Sequence, residues 1–131
     1  MTTRIAACHC GQLRAICEGE PVRVSVCHCL ECQKRTGSAF GVSARYPKEA
    51  VRADGPSRQY SRIADSGFKV TFDFCPGCGT TVLWHLDQFP DVTAVAVGAF
   101  ADRDFPVPKH SVNERRKHAW VEIAVPVEHK R

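Results

Sequence analysis

The chain has 131 residues, a formal net charge of +4 and eight cysteines. This length fits a single domain of residues 1–131, and no apolar stretch approaches the roughly 18 residues of a membrane span, so a membrane is not an expected partner. The charge is mildly basic and comes without a helix-turn-helix or an aromatic RNA-binding motif, so nucleic acid is not an expected partner either.

Short β-rich runs alternate with Gly and Pro turns along the chain, and they predict a mainly β domain with very little helix. The segment Lys69–Phe74 alternates apolar and polar residues, which is typical of a strand with one buried face. Only Leu30–Thr36 and Asn113–Lys117 look able to form helical turns. The predicted strands are Arg4–Cys8, Leu13–Glu18, Val22–Cys27, Ala39–Ala44, Ala50–Ala53, Ser57–Ile63, Lys69–Cys75, Thr81–Leu86, Val92–Gly98 and His118–Val125.

Seven of the eight cysteines fall into three tight clusters. Cysteines one or two residues apart on a Gly- or Pro-containing turn can direct their thiolates at one ion about 2.3 Å away. A count of two, three and two is enough for one closed four-thiolate zinc site and one three-thiolate site with an open position. The clusters are the first pair (Cys8 and Cys10), the triplet (Cys27, Cys29 and Cys32) and the last pair (Cys75 and Cys78).

The triplet is local enough to supply three corners of a tetrahedron by itself, which leaves the first and last pairs for the other ion. Joining these distant pairs closes a long loop and so constrains the unfolded chain. A second assignment stays open, in which Cys27 and Cys29 join the last pair and Cys32 joins the first pair. Cys17, in an apolar run, is predicted to pack as a small buried residue.

Disulfides are the competing interpretation of an even cysteine count in a short chain. Neighbouring cysteines in C-x-C and C-x-x-C are poorly placed for structural crosslinks, and Met1-Thr-Thr-Arg lacks the apolar core of a signal peptide. We therefore expect a reduced, cytoplasmic protein. No βαβ pattern surrounds the C-x-x-C pairs, which disfavours thioredoxin-like redox catalysis.

At these clusters the sequence resembles the glutathione-dependent formaldehyde-activating enzymes, a family with the β-tent fold of short antiparallel sheets held by zinc-binding cysteine turns. The matching residues span nearly the whole chain in the expected order. They are Cys8-His-Cys-Gly11, Cys27-His-Cys-Leu-Glu-Cys-Gln-Lys-Arg-Thr-Gly-Ser38, Phe74-Cys-Pro-Gly-Cys-Gly-Thr80, and His110 followed by Trp120.

The resemblance implies two zinc ions with different roles. It implies a structural zinc on Cys8, Cys10, Cys75 and Cys78, and a second, catalytic zinc on Cys27, Cys29 and Cys32. It also implies a carbon–sulfur lyase that acts on adducts between an aldehyde and glutathione, which serves as the thiol co-substrate. A zinc with three protein thiolates can accept a substrate thiol as its fourth ligand.

The segment directly after the triplet is the predicted substrate contact. Arg35 could meet a peptide carboxylate, Gly37 permits a tight turn, and the Ser38 hydroxyl can donate a hydrogen bond. The simpler interpretation, that this segment only ends a helical turn, stays open.

The histidines are predicted to differ in role. His110 is the proton-transfer candidate, because it matches a family position. His9 and His28 alternate with ligand cysteines, so we expect them to point away from the metal. His85 is expected to be a core histidine, and Trp120 is expected to pack the final strand.

Two other functions stay open at this point. The same fold could be a non-catalytic module that recognises a protein partner with both zinc ions fully coordinated. The triplet could also serve as reactive thiols in a redox or metal-buffering protein, which predicts zinc release on mild oxidation.

Overall fold

The computed structural model describes all residues 1–131 and contains eleven strands and one α-helix. The helix, α1, spans Leu30–Thr36 as predicted, and it ends at Gly37 with φ +66°. No helix of the structure is long and apolar enough to cross a membrane. The strands are β1 (Thr3–Ala7), β2 (Arg14–Glu18), β3 (Arg23–Cys27), β4 (Gly41–Pro47), β5 (Val51–Asp54), β6 (Arg58–Ile63), β7 (Lys69–Phe74), β8 (Thr81–Leu86), β9 (Val92–Ala96), β10 (His110–Val112) and β11 (Glu128–His129).

The strands form a small sheet and a large sheet. The small sheet has the order β1-β2-β5, and the large sheet has the order β11-β10-β3-β4-β9-β8-β7-β6. Two sheets joined by cysteine-bearing turns, with one short helix, confirm the predicted mainly β, β-tent fold. The pairing is antiparallel except at β10, which runs parallel to both β3 and β11. No hairpin turn links β10 to β3, so nothing forces an antiparallel pair there.

The main core lies between the two sheets. The small sheet contributes Ala6, Ala15 and Cys17, and the large sheet contributes residues such as Tyr46 and Leu83, all of which are almost completely buried. Burial raises the pKa of the Cys17 thiol to about 12, so this cysteine stays protonated at neutral pH. The prediction that Cys17 is a buried packing residue is confirmed.

The opposite face of the large sheet carries a second, smaller apolar cluster. It consists of Val70, Phe72, Trp84 and Ala94. Neighbouring residues Leu83 and Trp84 belong to different clusters, because successive side chains of a strand point to opposite faces. The large sheet is therefore covered by the core on one side and presents an apolar floor on the other.

The first and last cysteine pairs meet where the two sheets join. Cys8 and Cys10 lie in the β1–β2 turn, and Cys75 and Cys78 lie in the β7–β8 turn; their four Sγ atoms all lie within 4.8 Å of one another. We call this group the four-cysteine cluster. It shows that the alternative assignment, which paired Cys27 and Cys29 with the last pair, is wrong.

The four-cysteine cluster has the dimensions of a zinc site. Sulfurs at the corners of a tetrahedron with zinc–sulfur bonds of about 2.3 Å are about 3.8 Å apart. The Sγ atoms of Cys8 and Cys75 are each 3.6 Å from that of Cys10. Backbone N–H groups of Leu13 and Gly77 donate hydrogen bonds to the Cys8 and Cys75 sulfurs at 3.2 and 3.3 Å, which helps to hold these two sulfurs in position. A zinc ion fits here and would tie the small sheet to the large one.

The predicted strand His118–Val125 is wrong. Residues 117–127 form turns and extended chain, and the last two strands of the large sheet are the short β10 and β11. This segment does not pair with β10, because β3 and β11 already occupy the two sides of that strand. Trp120 is accordingly 75% exposed and does not pack a final strand.

The Asn113–Lys117 turn and several strand ends also differ from the prediction. The turn is a single 3-10 turn over Glu114–Arg116. Strand β9 ends at Ala96, and the chain continues into another 3-10 turn over Val97–Phe100. The centres of the Phe100 and Phe105 rings lie 4.5 Å apart. Packing of these two aromatic rings therefore overrides the strand pattern of the segment.

The role of the four-cysteine cluster can be tested by comparing Cys75→Ala with Cys17→Ala. Both residues are completely buried, but only Cys75 belongs to the cluster. Structural zinc contributes on the order of 10 kcal/mol in small peptides, which is comparable with the net stability of a whole domain. We expect Cys75→Ala to lose zinc and to be largely unfolded, and Cys17→Ala to lose only about 1 kcal/mol. Urea unfolding with zinc quantification measures both, and equal unfolding midpoints would contradict the assignment.

Candidate metal and substrate site

The triplet lies where β3 passes into α1. Cys27 is the last residue of β3, Cys29 is the N-cap of α1, and Cys32 lies in the first turn of that helix. The N-cap geometry fixes two of them, because the Cys32 N–H donates a hydrogen bond to the Cys29 sulfur at 3.3 Å. The three Sγ atoms lie within 4.8 Å of one another, and no histidine, carboxylate or fourth cysteine ligand atom lies with them.

The three thiols influence one another's ionisation strongly. Contacts with Cys27 and then Cys32 lower the pKa of Cys29 to about 2, whereas contacts with Cys27 and Cys29 raise the pKa of Cys32. One negative charge forms readily within the triplet, and it opposes the next one. A divalent cation with an affinity for sulfur removes this opposition, so the donor set fits zinc.

His28 holds the triplet from behind and does not join it. Its side chain is completely buried, and its Nε2 lies 2.9 Å from the Ser111 Oγ. The Ser111 hydroxyl donates to the Glu114 carboxylate at 2.6 Å, so His28 Nε2 must be the donor to Ser111. Burial lowers the pKa of His28, which favours the neutral ring with its proton on Nε2. The prediction that His28 points away from the metal agrees with this geometry.

The same contacts connect the triplet to the parallel strands at the edge of the large sheet. Glu114 Oε2 lies 2.7 Å from His129 Nδ1, so a continuous set of polar contacts runs from His28 through Ser111 and Glu114 to β11. Gln33 donates to the His28 carbonyl at 2.8 Å. These contacts fix the loop between β3 and α1, and with it the directions of the three sulfurs.

Asn113 contacts the triplet directly. Its Nδ2 donates a hydrogen bond to the Cys27 sulfur at 3.1 Å, and its backbone has φ +57°. Asparagine tolerates this left-handed conformation better than most residues. Neither Asn113 nor Ser111 is predicted from the sequence, since a single Asn or Ser outside a motif gives no signal.

A cavity of about 630 Å³ opens beside the triplet. One side of the cavity is the second apolar cluster of the large sheet, which contributes Val70, Phe72 and Trp84. Arg35, which the sequence predicts as a substrate contact, also lines this cavity, with its guanidinium carbon 4.3 Å from the centre of the Trp84 ring. A side chain at Gly41 would place its Cβ 3.0 Å from Arg35 Nη2, so the glycine leaves room for this arginine.

Three other predicted site residues lie outside the cavity lining. Gly37 caps the end of α1, and the Ser38 N–H donates to the Thr36 hydroxyl at 3.1 Å, so both complete the helix end. His110 lies in β10 with its Nδ1 3.6 Å from the Glu128 carboxylate. Contact of Gly37 and Ser38 with substrate, and proton transfer by His110, stay predictions.

The remaining histidines are on the surface. His9 is exposed. The expectation that His85 is a core histidine is wrong: its side chain is 50% exposed and lies 3.5 Å from the Asp73 carboxylate. Alternation along β8 places His85 on the same face as Leu83, but its side chain lies outside the buried main core.

The contribution of the His28 contacts to metal binding can be tested with Ser111→Ala. This change removes the only side-chain hydrogen-bond partner of His28. Mutation of residues that hydrogen-bond around metal ligands typically lowers metal affinity by about 10- to 100-fold. We expect about a tenfold loss of affinity at the triplet and none at the four-cysteine cluster, measured by competition with a chromophoric chelator. Ser61→Ala, which removes an exposed hydroxyl contact on β6, is the control; equal affinities in both variants would contradict the role.

Comparisons with known proteins agree with this site. A family model described as glutathione-dependent formaldehyde-activating enzyme matches residues 3–122. Among solved structures, the chain is similar to a crystal structure of a Rhodobacter sphaeroides protein that was a structural genomics target. The TM-score is 0.56 at 20% sequence identity, and the match covers 72% of this chain and 85% of that chain. At this identity the likeness shows a shared fold only.

No match was found among the curated proteins. The family match includes both cysteine groups that could hold zinc and nearly all of the two sheets that bring them together. The chain therefore belongs to the glutathione-dependent formaldehyde-activating enzyme family.

Proposed function

We propose that the protein is a zinc-dependent carbon–sulfur lyase that acts on adducts between an aldehyde and glutathione or a similar thiol. One observation carries the proposal: three cysteine sulfurs converge at the wall of an open cavity, with no fourth protein ligand. The family match supports the link to glutathione. In this proposal the triplet holds the catalytic zinc, and the four-cysteine cluster holds the structural zinc.

The chemistry is a reversible cleavage of one carbon–sulfur bond. Zinc held by three thiolates supplies a position for a thiolate sulfur and keeps that sulfur deprotonated at neutral pH. In the cleavage direction, the carbon–sulfur bond of the adduct breaks with its electron pair going to sulfur. The adduct hydroxyl loses its proton as the carbonyl forms, so the products are a thiolate, an aldehyde and a proton.

The residues of the cavity would orient the adduct and limit its contact with water. Phe72 and Trp84 form an apolar wall, and the Arg35 guanidinium stacked on Trp84 can pair with a carboxylate of the substrate. We retain Gly37 and Ser38 as candidate contacts for glutathione and His110 as the candidate proton acceptor. The proton would go to a ring nitrogen of His110, whose Nδ1 lies 3.6 Å from the Glu128 carboxylate.

A reduced compartment suits this chemistry, and we propose that the protein acts in the cytoplasm. All eight cysteines are free thiols in the structure, in agreement with metal binding and not with a disulfide framework. The open cavity also distinguishes this proposal from a non-catalytic zinc module, in which both metal sites would be closed by protein ligands. The small-molecule adduct is then the expected partner.

The proposal can be tested with Cys32→Ala, because Cys32 is a triplet ligand that does not join the two sheets. We expect this variant to stay folded, to retain the zinc of the four-cysteine cluster, and to lose catalysis. The measurement is the rate of exchange between glutathione, formaldehyde and their adduct by NMR exchange spectroscopy. The wild type should accelerate the exchange, and Cys32→Ala should return it to the uncatalysed rate.

Cys17→Ala is the matched control, because it removes a thiol that contacts neither metal group, and it should keep wild-type exchange. Wild-type exchange in Cys32→Ala would refute the catalytic role of the triplet. An absence of acceleration by zinc-loaded wild type would refute the lyase proposal for this thiol and aldehyde.

A further inference from the structure

Two arginines at the far end of the cavity have no role in the proposed chemistry. Arg23 and Arg45 face each other across β3 and β4, and both line the cavity. The Nε atoms of both are buried and have no hydrogen-bond partner. The pKa of Arg45 is lowered, mainly by burial and secondly by the positive charge of Arg23. The two guanidinium groups therefore repel each other.

The charges around this pair are not neutralised within the protein. Six cationic residues line the cavity, against the carboxylates of Glu31 and Asp65, and none of the six forms an ion pair. The six are Arg23, Arg35, Arg45, Arg62, Lys130 and Arg131. Charged groups removed from water are normally paired, because an unpaired charge in such a place is unfavourable. Two neighbouring, partly buried arginines without an ion-pair partner therefore indicate a site that binds an anion.

The register of β3 relates this pair to the triplet. Cys27 and Arg23 are four residues apart on the same face of the strand, and Ser25 between them also lines the cavity. A rise of about 3.3 Å per residue separates the two backbone positions by roughly 13 Å. The guanidinium of Arg45 is held against the Phe89 ring at 4.8 Å, which limits its movement.

We propose that Arg23 and Arg45 form an oxyanion-binding subsite that selects thiols with a negatively charged group remote from the sulfur. This inference rests on the proposed function for the sulfur end of the ligand, but the subsite itself needs only the arginine pair. Arginine recognises both carboxylate and phosphate through two parallel hydrogen bonds. The substrate would be an elongated anionic thiol, its sulfur at the triplet and its oxyanion at the arginine pair.

The test uses ligands that lack a free thiol, so that it does not depend on the open metal position. S-methylglutathione carries both carboxylates of glutathione, and its diethyl ester carries neither. We expect the protein to bind S-methylglutathione at least about tenfold more tightly than the ester in isothermal titration calorimetry. S-methylated 4′-phosphopantetheine and S-methylated pantetheine form a second pair, which tests whether a ligand with a phosphate binds more tightly than its neutral counterpart.

Variants assign the effect to the arginine pair. Arg23→Gln and Arg45→Gln should each weaken binding of the preferred anion by about tenfold or more. Arg58→Gln, which removes the same charge from an exposed position of β6 outside the cavity, should not. The S-methylated ligands cannot give a thiolate to the triplet, so anion preference is measured separately from catalysis. A retained anion preference without accelerated exchange would refute the lyase proposal alone, and accelerated exchange without anion preference would refute this subsite alone.

Thermal unfolding separates anion binding from a structural role. Without ligand, Arg45→Gln should keep or raise the melting temperature, because it removes an unpaired charge next to Arg23. A lower melting temperature with unchanged anion binding would mean that the arginines stabilise the fold instead. If neither anionic ligand binds more tightly than its neutral counterpart, the subsite does not exist.

Discussion

The four-cysteine cluster is the constraint on which the rest of the structure depends. The small sheet and the large sheet meet at two turns, and each turn supplies two of the four sulfurs. The sulfurs are spaced as zinc requires, and the buried core lies directly behind them. A metal there would fix the angle between the sheets, and the position of the large sheet in turn determines where the triplet and the cavity lie.

Strand β3 shows how one short segment serves both stability and the site. Its inward residues Val24 and Val26 are buried, whereas Arg23, Ser25 and Cys27 alternate with them and line the cavity. The strand thus places one triplet sulfur and one arginine on the same face at a fixed spacing. The His28 contacts then hold the end of this strand against β10 and β11. The register of the sheet therefore sets the separation between this sulfur and the arginine.

The sequence was informative where a residue's role depends on its neighbours along the chain. The two cysteine groups, α1 and the first nine strands could be predicted because spacing and alternation are local properties. The contact of Ser111 with His28 joins residues 83 positions apart, and the Arg23–Arg45 pair depends on the register of β3 and β4. The strand predicted at His118–Val125 failed for a related reason, since strand pairing depends on partners that are distant in sequence, and β11 takes the position beside β10.

The central claim is that the two metal sites differ: one is closed by four protein sulfurs, and the other has three and an open position facing the cavity. Cadmium-113 NMR of the cadmium-substituted protein observes each site as a separate resonance. The account predicts two resonances, of which only the triplet signal shifts when a thiol such as glutathione is added. Two signals that are both insensitive to thiol, or a four-cysteine signal that moves with the triplet signal, would contradict it.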